Sequence, residues 1–91
     1  MAHILYADFG LEEVEPKNGT DFSLEEMQSI VGGYIEIVDL NDSQCLVVNE
    51  EGKCEHLPYN AIATNVLRLA YQHTTDYIAG NALLCNINQI K

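Results

Sequence analysis

Cys54 and His56 stand two residues apart in the run GKCEHL, the spacing that turns two side chains toward the same face of a strand. Cys45 lies in the preceding strand-like run, so a thiol–imidazole cluster is the first chemistry to test. A zinc centre takes about four such ligands in tetrahedral geometry. His3 or His73 must complete the set from a distance, and no ligand spacing supports that. Nucleophilic catalysis needs a cysteine or serine beside a base and an orienting group. The cysteines with His56 or His73 satisfy the composition, but no local context marks a nucleophile, and buried structural thiols are the plainer reading. Glu12-Glu13, Glu25-Glu26 and Glu50-Glu51 resemble acid–base pairs, yet adjacent residues point apart on a strand and do not face each other on a helix. Gly32-Gly33 lacks the lysine and the following helix start of a phosphate loop. The sequence therefore assigns no catalytic residue, no metal ligand and no cofactor.

Two non-catalytic sites remain. Leu57-Pro58-Tyr59-Asn60 offers Tyr59 and Asn60 to a small-ligand pocket, or else a turn proline followed by an asparagine that caps the next helix. That helix carries Leu67 and Tyr71 on an apolar arc wider than one packing face needs. Either those two residues meet a protein partner or a second copy of the chain, or the sheet alone covers them.

The elements that must position these residues can be read from spacing. Phe22 to Glu36, FSLEEMQSIVGGYIE, predicts a helix at several levels at once. Ser23 and Glu26 form a capping box, and Phe22 and Met27 are placed as the hydrophobic staple around it. Leu24, Met27, Ile30 and Val31 recur at helical spacing, and Gly32-Gly33 supplies the left-handed stop. Before this helix, His3–Phe9 and Leu11–Glu15 read as strands, and Lys17-Asn18-Gly19-Thr20 as a turn. After it, Tyr34–Leu40 and Gln44–Asn49 read as strands. Glu51-Gly52 reads as a hairpin turn returning through Lys53–Leu57. A second helix runs from Asn60 to about Gln72, with Asn60, Thr64, Arg68 and Gln72 as its polar stripe. Tyr77–Ile87 is the closing strand, where Gly80 suggests a bulge or a close backbone approach. The sum is one α+β domain over residues 1–91, with a mainly antiparallel sheet of five to six strands and two helices.

Composition narrows the classes. Apolar residues make up 47% of the 91, enough for one modest core. No apolar run approaches the roughly 18 residues that cross a bilayer. The N-terminus lacks the basic region of a secretory signal. An odd, sparse set of 3 cysteines without a CxxC pair suits a reducing, cytoplasmic setting. The formal charge is −10, with −11 up to Leu57 and +1 from Pro58 onward. Direct binding to nucleic acid or to anionic lipid is thereby disfavoured, and what remains is a soluble protein or one whose partner is basic.

Val31-Gly32-Gly33-Tyr34-Ile35-Glu36, Val48-Asn49-Glu50-Glu51-Gly52-Lys53, Leu57-Pro58-Tyr59-Asn60 and Tyr77-Ile78-Ala79-Gly80-Asn81-Ala82 follow one another in an order that spans nearly the whole chain. In this the sequence resembles a family of small domains of unknown function carried by bacteria, phages and other mobile elements. The resemblance implies an N-terminal strand pair, a helix leading into the VGGYIE strand, an NEEGK hairpin, a Leu-Pro-x-Asn step and a closing strand. It transfers no catalytic residue. The expected function is a non-enzymatic interaction or ligand-binding module, accessory to a mobile element, that meets a protein partner or a second copy through its second helix. A small ligand is also compatible. One alternative is an acidic inhibitor that mimics nucleic acid toward a basic host protein. Another is a small-substrate enzyme, whose mark would be Cys45, Cys54, His56 or Asn60 converging on one pocket.

Overall fold

The computed structural model describes residues 2–91. Five strands form one fully antiparallel sheet: β1 (Ala2–Leu5), β2 (Leu11–Val14), β3 (Ile35–Asp39), β4 (Gln44–Asn49) and β5 (Ala82–Asn86), in the spatial order β2-β1-β5-β4-β3. Helices α1 (Leu24–Val31) and α2 (Ala61–Ala70) complete the α+β fold, and a short 3₁₀ turn, Ile87–Gln89, follows β5. Among the described residues, no helix is long and apolar enough to cross a membrane.

The two helices lie on opposite faces of the sheet. Register shows how alternation divides the strands, because Cys45 pairs with Cys85, Leu46 with Leu84 and Val47 with Leu83. Ala2, Ile4, Cys45, Val47, Leu83 and Cys85 therefore point to one face, where Met27 and Val31 of α1 and Phe22 pack on them. Leu5, Leu46, Val48 and Ala82 point to the other, against Ala63 and Leu67 of α2 and Ile78. Burial on both faces explains why β4 reads as the continuous apolar run Cys-Leu-Val-Val.

α1 forms as its spacing predicts. Ser23 Oγ accepts from Glu26 N at 3.1 Å, and Glu26 Oε1 accepts from Ser23 N at 2.9 Å. Gly32 ends the helix at φ 80°, a backbone that side chains disfavour, and its N–H reaches Gln28 O at 2.8 Å.

Residues 50–57 depart from the expected hairpin. Instead of a return strand, the chain coils through successive turns: Glu51 N donates to Asn49 Oδ1, Gly52 N to Asn49 O, Glu55 N to Glu51 O and Leu57 N to Gly52 O. These local bonds satisfy the backbone without a partner strand, so the sheet has five strands and not six. Gly52 is required by proximity, since a Cβ there would sit 2.7 Å from Ala79 O. The closing strand is also shorter than expected. Residues 75–81 run outside the sheet along α2, from Arg68 in its last turn back to Asn60 at its start, and Ala79 bridges Tyr59.

The polar stripe of α2 is the other correction. Asn60 and Thr64, expected opposite the core, are fully buried. Asn60 Oδ1 caps the helix by accepting from Ala63 N, while its Nδ2 donates to Leu5 O at 2.8 Å and Gly80 O at 2.9 Å. Thr64 Oγ1 accepts from Ile78 N at 2.9 Å. A buried polar side chain is tolerated when each of its groups is matched, and these are matched by backbone distant in sequence.

Candidate functional site

A helix is about 10 Å across with its side chains, whereas five strands at roughly 4.8 Å spread over nearly 20 Å. One helix per face therefore leaves part of each face uncovered. On the α2 face the uncovered part lies at β3, the sheet edge, where Glu36 pairs with Val48 and Val38 with Leu46. The coil 50–57 and the segment Asp76–Ala79, which meet at the Lys53–Asp76 pair, border it. Together they enclose a cleft of about 230 Å³.

Its floor is apolar: Val38, Val48, Leu67 and Ile78. Its rim is charged, carrying Glu36, Glu50, Lys53 and Asp76, with Cys54 and Tyr77 among them. Lys53 pairs with Asp76, and its Nζ lies 4.7 Å from the centre of the Tyr77 ring. Asp76 Oδ1 also accepts from Tyr77 N at 2.8 Å. The Lys53 ammonium, helped by that N–H, holds the Asp76 carboxyl below the usual carboxylate range. Arg68 Nε donates to Asp76 O at 3.2 Å, which ties this wall to α2. The Lys53–Asp76 pair is about half exposed, so its role is to position the wall more than to stabilise the fold.

The residues singled out from sequence take distinct places around this cleft. Leu67 faces inward at 6% exposure and forms part of the floor, so it is not available to a partner docking on the outer face of α2. Tyr71 is 46% exposed, but its hydroxyl donates to the Asp39 carbonyl and straps the end of α2 to β3. The large apolar side chain that α2 does expose is Leu69. Tyr59 is half-exposed with its ring 5.8 Å from that of Tyr77, at the margin of the cleft. Asn60 is committed to its three hydrogen bonds and lines no pocket wall of this cleft.

The thiol–imidazole cluster does not assemble. Cys54 and His56 lie in the coil and not on a strand, and His56 takes a left-handed backbone at φ 56°. Cys45 turns to the α1 face, where its Sγ lies 3.9 Å from that of Cys85. The shared contact with Cys45, together with burial, pushes the Cys85 thiol up, and the same contact draws that of Cys45 down. Cys45, Cys54, His56 and Asn60 thus go to separate places. Among the described residues, no group of three His, Cys, Asp or Glu side chains is arranged to hold a metal ion.

Sequence reasoning missed Glu36, Glu50, Lys53, Asp76 and Tyr77 as a set. Glu50 and Glu51 do point apart, as adjacent residues should: Glu50 lines the cleft and Glu51 a shallow depression beside Gln28 and Gly33. Glu36 joins Glu50 only through the β3–β4 register, for which the sequence carries no mark. A second groove, between β2 and α1, is larger at about 460 Å³ but shallower. Glu26, on its rim, is already engaged by the Ser23 and Lys17 N–H groups.

Residues 2–90 match a family described as a domain of unknown function, DUF3846, and the chain belongs to it. No curated protein and no solved structure matches the chain.

Proposed function

We propose that this member of DUF3846 is a non-enzymatic interaction module that binds through the cleft between α2, β3 and the coil 50–57. The observation that carries this reading is an apolar floor under a charged rim, left unfilled by the protein's own side chains. Such a mixture suits recognition, because apolar area supplies affinity and a few placed charges supply orientation. The lining also includes the Cys54 thiol but no imidazole to pair with it. The reading relocates the partner surface from the outer side of α2 to the cleft beside it.

The acidic-mimic alternative is less well supported by the arrangement of charge. Glu12 and Glu13 lie on β2 and Glu36 and Asp39 on β3, at opposite edges of the five-stranded sheet. Carboxylates divided in this way serve edge strands well, since charge there opposes edge-to-edge pairing. They do not make one continuous anionic face.

Screening a fragment library against the isotopically labelled protein by NMR tests the proposal. Binders are expected to move the amide signals of Val48, Cys54, Tyr77 and Ile78. Fragments that gather in the β2–α1 groove with the cleft silent, or a fragment that is chemically converted, would overturn it.

A further inference from the structure

We infer that the occupant of the cleft is the side chain of an arginine presented by a partner protein. This inference rests on the reading of the cleft as the binding site and adds the chemistry of what enters it.

Charge complementarity is the first argument. Lys53 is neutralised by Asp76, which leaves the carboxylates of Glu36 and Glu50 to set the local charge. Neither of these two accepts a side-chain hydrogen bond from a described residue. Glu36 lies opposite Val48, and Glu50 is two residues further along, with its N–H on Tyr34 O at 2.9 Å. They are therefore diagonal neighbours on one face of an antiparallel pair, roughly 7 Å apart at the backbone. An anionic ligand is repelled by this rim, and the surrounding charge of −10 steers a cation toward it.

The floor selects among cations. The side chains of Val38, Val48, Leu67 and Ile78 give no oxygen to a metal ion, so the floor adds nothing to what the rim carboxylates offer one. These side chains do suit an aliphatic stem that lies along apolar surface with its charged head at the rim. A guanidinium is more weakly hydrated than an ammonium and spreads its N–H groups in a planar fork, so it can meet two separated carboxylates at once.

The cleft also holds a cation of its own. The Lys53 ammonium sits over the Tyr77 ring and against Asp76, within the same lining as Glu36 and Glu50. Aromatic and anionic groups of this kind stabilise a positive charge.

The experiment is a titration of the full, isotopically labelled chain with N-acetyl-arginine amide and, separately, with the citrulline equivalent, which has the same shape and no charge. Arginine is expected to shift the amides of Glu36, Val48 and Tyr77 at about tenfold lower concentration than citrulline, the discrimination that two carboxylate contacts of ordinary strength supply. In the double variant Glu36→Gln/Glu50→Gln the two probes should become equal. In Glu12→Gln/Glu13→Gln, which removes the same charge from the far edge, the preference should persist. Equal binding of both probes in the unaltered protein would overturn the arginine assignment while leaving the cleft as the site. So would an arginine preference that vanishes equally in both double variants, since it would then report overall acidity. Arginine shifts confined to β2 would overturn the assignment too. If neither probe moves the cleft while fragments of other chemistry do, the assignment fails alone; if nothing moves it, both readings fail.

Discussion

The two helices of this domain are fixed by different means. Most groups that define the ends of α1 come from nearby in sequence: Ser23 and Glu26 box its start, the Lys17 N–H adds a bond to Glu26 Oε2 at 3.0 Å, and Gly32 closes its end, with one distant bond from Asn49 Nδ2 to Val31 O at 3.2 Å. α2 draws on the whole chain. Its cap Asn60 holds Leu5 and Gly80, its Thr64 holds Ile78, and the Tyr71 hydroxyl at its C-terminus reaches the Asp39 carbonyl. The difference matters for the proposed function because the second arrangement builds the more enclosed of the two cavities. Pinning residues 76–80 against α2 raises one wall of the cleft, whereas the groove beside α1 is wider and shallower.

The contrast can be broken most directly at Asn60. Replacing it with alanine orphans the Ala63 N–H and two backbone carbonyls in the interior, and the expected loss is about 3 kcal/mol or more in urea unfolding. Amide exchange should at the same time accelerate at Ile78 and Gly80. If Asn60→Ala costs no more than the local cap of α1, the distinction between the helices is void.

Thr64→Val keeps the shape and removes the acceptor of the Ile78 N–H. A loss of about 1–2 kcal/mol is expected, with the spectral changes concentrated in the cleft wall and not around α1. Ser23→Ala removes one local cap bond and should cost about 1 kcal/mol by the same unfolding assay. Its effects should stay within α1 and leave the cleft signals unmoved. Perturbation of Tyr77 or Ile78 by this variant would show that the two faces are coupled.

The smallest expected effect is one of pH. The Ser23 N–H, with that of Lys17, holds the Glu26 carboxyl below its ordinary value. A carboxylate depressed in the folded state contributes stability above its unfolded pKa, about 4.3, and loses that contribution as pH falls through the lower folded value. Glu26→Gln retains an acceptor for Ser23 but has no proton to gain. Its urea midpoint should therefore fall less steeply than that of the unaltered protein over this acidic window. Identical slopes would mean that the capping box carries no titrating charge.

The same division explains what could be read from the residues alone. Ser23, Glu26 and Gly32 were legible because their capping partners lie within a few positions, and spacing is then geometry. Asn60 and Thr64 were read as a solvent-facing stripe, because a polar residue on a helix has no visible partner until distant backbone is folded against it. Glu51-Gly52 imitated a hairpin turn, but Asn49 bonded forward to the Glu51 N–H and turned the chain into a coil. Gly52 was placed by the approach of Ala79, which no local pattern encodes. In the cleft, Glu36, Lys53 and Asp76 belong to separate segments, and none carries a motif of its own.

By itself the sequence determined α1, the α+β class, the largely antiparallel sheet and the acidic surface, since these follow from period, capping and composition. Only tertiary structure decided that the helices take opposite faces, that residues 50–57 form a wall and not a strand, and that Leu67 lies in the floor of the cleft and not on the outer side of α2. The reason is physical: a binding cleft is made where packing leaves space, and the space is a property of strand register and helix width that no residue carries alone.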